Sequence, residues 1–238
     1  MKKIVIAFAC ITFASCSFID AFKYYEEIEA GTDPNFDEYP GMNVNEEPLT
    51  GKVFEIPSVF NVSGLAMGEQ NQSEEENQDE DLQVTGDMYG SGLFVIVTLN
   101  IENLTNQKQT LLLPQGLMLQ SASSSYQNGI LVKDVEIPFK ANESRKVSVR
   151  FYCLNSSLHG SDAGASYNIC YVTNVSAFEP LFNVCADKKL NIDEYRQISI
   201  LGYYGAATTV QEIVWAITKG KTFTETEIKK YLKHVKKS

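Results

Sequence analysis

The sequence predicts an α+β protein, an antiparallel β-sandwich followed by a small α-rich module. Three observations carry that expectation. Between residues 51 and 155, short apolar runs alternate with turn signals, the pattern of half-buried strands. Beyond residue 155 the apolar spacing changes to a helical period. With 44% hydrophobic residues in 238, the chain can bury a substantial core without relying on disulfides.

The strands are read in order. "KVFEIPSVFNVSG" (residues 52–64) opens the set. "GLFVIVTLNIENLT" (residues 92–105) places Phe94, Ile96, Thr98 and Asn100 on one face and Val95, Val97, Leu99 and Ile101 on the other. Its first half is apolar on both faces, as a central strand requires. Pro114 and Gly116 mark a bend in "QTLLLPQGLMLQS". "NGILVKDVEIPF" follows a polar turn, and "ESRKVSVRFYCLN" closes the set with Val147, Val149 and Phe151 facing one way. Residues 68–87, "GEQNQSEEENQDEDLQVTGD", are acidic and nearly devoid of apolar residues, so a solvated loop is expected there.

The helices come next. "EPLFNVCADKKL" (residues 179–190) reads as helical, with Pro180 suited to a first turn. A second helix is expected to end near Gly202. In "TTVQEIVWAITKG", Thr209 and Glu212 have capping-box spacing, and Val210, Ile213, Val214 and Ile217 form an apolar stripe that stops at Gly220. Thr224 and Glu227 repeat the spacing before Ile228, Tyr231, Leu232 and Val235.

The amino terminus suggests an address. "MKKIVIAFACITFAS" carries two lysines and then an apolar run too short to span a bilayer, the outline of a signal peptide over residues 1–15. Ala14 and Ser15 before Cys16 resemble the lipobox of bacterial lipoproteins. That resemblance implies acylation of Cys16, a membrane-tethered mature chain, and a place in the bacterial cell envelope, at the outer membrane. Residues 16–50 then read as an acidic tether. Without the leader the chain has 18 basic and 30 acidic residues, net −12, which argues against nucleic acid as a partner.

The inventory of reactive groups is thin. Of two histidines, neither His159 nor His234 stands at metal-ligand spacing with cysteines or carboxylates, so no metal or other cofactor is expected. No G-x-S-x-G elbow, Walker loop or dinucleotide fingerprint occurs. His159, Ser161 and Asp162 crowd into one Gly-rich loop and read as loop chemistry rather than a triad. No catalytic residues are therefore assigned. Cys153, Cys170 and Cys185 leave one thiol over after any disulfide; Cys170–Cys185 and Cys153–Cys170 both remain open.

One pairing stands out. Tyr152-Cys153 is followed downstream by Val210-Gln211-Glu212-Ile213-Val214-Trp215. This resembles the thioester domains of bacterial surface adhesins, in which an aromatic-Cys pair meets a T-Q-x-A-I-W helix. Val210 stands for the threonine and Ile213 for the alanine. The resemblance covers residues 152–153 and 208–220, and it implies a thioester-domain-like module over residues 156–238. It also implies a bond between the Cys153 sulfur and the Gln211 side chain, open to attack by a partner's amine. The residues equally fit a packed helix whose Gln211 hydrogen-bonds nearby backbone. The resulting expectation is an envelope-anchored, non-catalytic adhesion or interaction module for a protein or glycan. The alternatives are covalent attachment through Cys153 and Gln211, or an envelope enzyme.

Overall fold

The computed structural model describes residues 31–32, 36, 38–69, 87–196 and 200–238. The expected signal peptide, Cys16 and most of the acidic loop lie outside the described residues. The elements are β1 (Gly31–Thr32), β2 (Lys52–Val53), β3 (Phe60–Glu69), β4 (Met88–Gly90), β5 (Val95–Asn103), β6 (Gln109–Leu113) and β7 (Leu117–Ser121). They continue with β8 (Gly129–Ile130), β9 (Val135–Phe139), β10 (Ser144–Cys153), β11 (Ser166–Val172), α1 (Glu179–Cys185), α2 (Ile200–Thr218), β12 (Lys221–Thr222) and α3 (Glu225–Tyr231).

The α+β class holds, but the expected sandwich does not describe the sheet. The main sheet runs β2-β11-β3-β5-β10-β8-β7, and β7 pairs back onto β11. Strands β11, β3, β5, β10, β8 and β7 thus close a six-membered ring with no free edge between first and last. Two irregularities help the sheet curl: one between Ser63 and Met67 on β3, the other between Ile169 and Tyr171 on β11. β4 joins β10 in parallel, and β6 and β9 form a separate antiparallel pair.

β11 lies beyond residue 155 and pairs with β2, β3 and β7. The boundary expected at residues 155/156 therefore cuts through the ring. The short run "ICYV" is local to the sequence; its long-range partners are not.

The part of the expected tether that is described also packs on the domain. Met42 is 2% exposed and Leu49 1%. Asn43 N–H donates to Leu154 O (2.9 Å), while Asn128 Nδ2 (2.8 Å) and Asn155 Nδ2 (3.1 Å) both donate to Gly41 O. Gly41 has φ +71°, and an added Cβ would sit 2.8 Å from Leu49 Cδ2. The glycine lets the chain turn and Leu49 close over it.

Alternation along β10 divides the interior in two. Val147, Val149, Phe151 and Cys153 join the cluster inside the ring, with Val95, Val97, Leu99 and Ile101 from β5. Tyr152 belongs instead to a second cluster between the outside of the ring and the helices. There the α2 stripe of Val210, Ile213, Val214 and Ile217 is fully buried.

α2 corrects two readings. It runs unbroken from Ile200 to Thr218, through Gly202 and past Thr209. Thr209 is no cap: its Oγ1 donates back to Gly205 O at 2.9 Å. Continuous packing of one face on the ring outweighs the local stop and cap signals. The second capping box does form, with Glu227 N–H donating to Thr224 Oγ1 (3.3 Å) and Thr224 N–H donating to Glu227 Oε2 (2.6 Å). Gly220, at φ +81°, lies just past the end of α2.

Candidate functional site

The structure brings Cys153 and Gln211 together, 58 positions apart in the chain. Gln211 leaves the buried face of α2 and meets β10 where its pairing with β5 has ended at Phe151–Val95. The side-chain amide grips the main chain: Cys153 N–H donates to Gln211 Oε1 at 2.9 Å, and Gln211 Nε2 donates to Cys153 O at 2.9 Å. Both oxygen and nitrogen of the amide are thereby occupied. Gln211 acts as one more ladder residue, satisfying two buried backbone groups that would otherwise lack partners. Nearby, Trp215 is half-buried and stacks on Phe94 at 5.9 Å.

The Cys153 side chain lies in the cluster inside the ring, fully buried. Burial pushes its thiol well above the ordinary range. The thiol is therefore held protonated, and the thiolate is the nucleophilic form. Burial raises Cys185 and Cys170 as well.

Cys153, Cys170 and Cys185 are all free, so neither disulfide that the spacing allowed is formed. Their settings explain it. Cys153 is inside the ring, and Cys185 lies under the helices. Cys170 falls at the β11 irregularity, with its Sγ 3.1 Å from Asn168 O.

Ser161 is a staple. Its Oγ donates to Glu69 O (2.6 Å) and accepts from Ile96 N–H (2.8 Å). Asp162 accepts from Tyr126 OH at 2.8 Å, which holds its carboxyl below the usual range. His159 is exposed. Ser161 and Asp162 are thus each held in their own hydrogen bonds.

A recess of about 410 Å³ opens between β4, the β6–β9 pair and the 3-10 turn Ile192–Tyr195. Tyr89, Thr110, Glu136, Pro138, Asp193 and Arg196 line it. The Arg196 guanidinium lies 5.4 Å from the centre of the Tyr89 ring and donates to Met88 O at 3.2 Å. On the other side Arg145 pairs with Asp87 at 2.5 Å and lies 4.6 Å from the Phe139 ring centre. Burial raises the Asp193 carboxyl, and its Oδ1 has no hydrogen-bond partner. The recess thus combines an aromatic wall, a held arginine and a carboxylate with one oxygen lacking a donor among the described residues, all on packed elements.

Sequence reasoning missed this recess. Its residues span positions 89 to 196, and no local spacing connects them. Among the described residues, no group of three or more His, Cys, Asp or Glu could hold a metal ion. No described helix is long and apolar enough to cross a membrane. Comparison with protein-family models, curated proteins and solved structures found no match.

Proposed function

We propose that the protein is a non-catalytic interaction module, lipid-anchored at the bacterial envelope through Cys16, that recognises a protein or glycan. The observation that carries this reading is the Gln211 clasp. The one glutamine suited to acyl chemistry holds the β10 backbone at Cys153 with both ends of its amide. The recess beside Tyr89 is the contact site in this reading, because it offers polar, charged and aromatic groups on rigid elements. The sandwich-plus-module description gives way, in the same reading, to one ring-and-helix unit bearing one face for partners.

Arrays of proteins and glycans probed with the full chain test it. Binding should appear with the wild type and be lost in the exposed double variant Glu136→Lys/Arg196→Glu. A profile unchanged by that variant would remove the recess as the contact site. For the anchor, Cys16→Ala should release the protein from membranes; retention at wild-type level would overturn the lipid attachment.

A second reading is favoured by the contact between Gln211 and Cys153 themselves. In it the Cys153 sulfur attacks Gln211 Cδ, the C–N bond breaks, and ammonia leaves as a thioester forms. The clasp must open first, releasing two buried hydrogen bonds. Intact mass separates the two readings. A deficit of one ammonia, followed by uptake of methylamine and absent in Cys153→Ala, establishes the covalent mechanism; a mass equal to the processed sequence eliminates it.

A further inference from the structure

Beneath α2, several buried hydrogen-bond donors converge without acceptors among the described residues. Arg150 is 5% exposed, Ser91 1%, and Tyr152 fully buried. Among the described residues, Arg150 Nε and Nη1, Ser91 Oγ and Tyr152 OH have no hydrogen bond of good geometry, although the Tyr152 phenol adjoins the Ser91 hydroxyl and the guanidinium adjoins the Tyr203 phenol. They share one location. Ser91 N–H donates to Arg150 O at 3.1 Å, which fixes the two residues side by side. The Arg150 guanidinium lies 6.0 Å from the centre of the Tyr203 ring. Tyr203 donates its own hydroxyl to Gly92 O at 2.7 Å. Tyr152 adjoins both Ser91 and Tyr203.

No described carboxylate compensates the charge of this cluster. Arg150 forms no ion pair among the described residues. Glu69 occupies the same face of the sheet, since both residues flank Ile96 in register. Its carboxylate, however, accepts from Thr98 Oγ1 and Ser148 Oγ. A guanidinium keeps its proton and cannot escape burial by becoming neutral. A buried cation without a partner is costly, and so is each unpaired donor around it. What the cluster lacks is a compact species that accepts several hydrogen bonds and carries one negative charge.

We propose that Arg150, Tyr152 and Ser91 form a binding site for a small monovalent anion of halide size, enclosed between the ring and α2. The anion accepts from the guanidinium, the phenol and the serine hydroxyl together. It neutralises the interface and pins α2 to β10, close to the Gln211 clasp. The site is independent of the recess and of any thioester.

Thermal unfolding of the full chain at matched ionic strength tests this. Sodium chloride and sodium bromide should raise Tm saturably above sodium 2-(N-morpholino)ethanesulfonate, whose anion is too large to enter. Arg150→Met should abolish the halide effect, and Tyr152→Phe should weaken apparent halide affinity about tenfold by deleting one donor to a charged group. Crystals grown in bromide should show an anomalous peak within hydrogen-bond distance of Arg150 Nη1. Equal Tm in all three salts would overturn the proposal. So would a halide effect retained in Arg150→Met, or an Arg150–Glu69 ion pair in place of the bromide. If Arg150→Met does not fold, an unaltered halide affinity in Tyr152→Phe decides against it.

Discussion

Tyr152 and Cys153 are adjacent in sequence and lie in different interiors. The inside of the ring, which receives Cys153, is filled mainly by Val, Leu, Ile and Phe of β3, β5, β7 and β10, with Tyr167 of β11. The layer between ring and α2, which receives Tyr152, is apolar in area but polar at its seams. It holds Arg150, Ser91, the Tyr203 hydroxyl and the Gln211 amide, all nearly or fully buried. Strand pairing closes the ring's backbone ladders except at Cys153, so the side chains inside it need only fill space. The helix covers a place where one ladder has run out, so its side chains must supply hydrogen bonds as well as volume. Of two equally dry layers, the second carries the chemical specificity.

Substitutions can break or sharpen that contrast. Phe151→Ala, inside the ring, should cost about 3–5 kcal/mol through lost burial and the cavity left behind. Chemical denaturation would read this as a large drop in midpoint at unchanged slope. Gln211→Ala should cost about 2–4 kcal/mol although it removes no apolar core residue, because Cys153 N–H and C=O are then buried without partners. A loss below about 1 kcal/mol would mean that the clasp does not support β10 and that the two layers are held alike. Cys153→Ala, which leaves the clasp in place, should cost only about 1 kcal/mol, near the value of one buried methylene.

Alkaline pH probes both layers at once. Burial raises the folded pKa of Cys153 and of Cys185 above the ordinary 9.0. Each thiol releases its proton more readily in the unfolded chain, so the unfolded state binds fewer protons above pH 9. Stability is therefore complete below that pH and falls as pH rises beyond it. The slope should be about 1.4 kcal/mol per pH unit for each thiol. In Cys153→Ala/Cys185→Ala the fall between pH 9 and 10 should flatten; an identical slope in the double variant would show that neither thiol is desolvated. Under native conditions a thiol reagent should modify half-exposed Cys170 well before the other two.

The smallest effect concerns the two threonines that share capping-box spacing. Thr224→Ala should cost about 1 kcal/mol, since it deletes a real N-cap. Thr209→Ala should be neutral or stabilising by about 0.5 kcal/mol, because a mid-helix threonine gives way to the best helix former. Thermal midpoints of the two variants measure the difference directly.

Those threonines also show what the sequence could and could not convey. The strands were legible because alternation is local, and the α2 stripe because its period is local. Whether a strand pairs to make a sandwich or a ring depends on β11 meeting both β3 and β7, a matter of distant partners. Gly202 and Thr209 carried genuine stop and cap signals, overridden only by a surface that the ring provides. Met42 and Leu49 were single apolar residues in an acidic stretch, with no period to announce that they dock. The approach of Gln211 to Cys153 was expected only from the likeness of residues 152–153 and 208–220 to a thioester pairing. Its grip on the main chain followed from the simpler expectation that a buried amide finds backbone partners.

The ring's closure also sets an order in time. β10 is finished at Cys153, yet β11, which joins β3 to β7, arrives only with Ser166–Val172, and Gln211 later still. A chain emerging from its amino terminus therefore carries open strand edges until both segments have followed. Pairings so distant in sequence make folding slow and leave those edges available to other chains meanwhile. The 19-residue α2 is thus the fastener of the fold, and truncation before residue 211 would leave β10 unfinished even with every strand of the ring present.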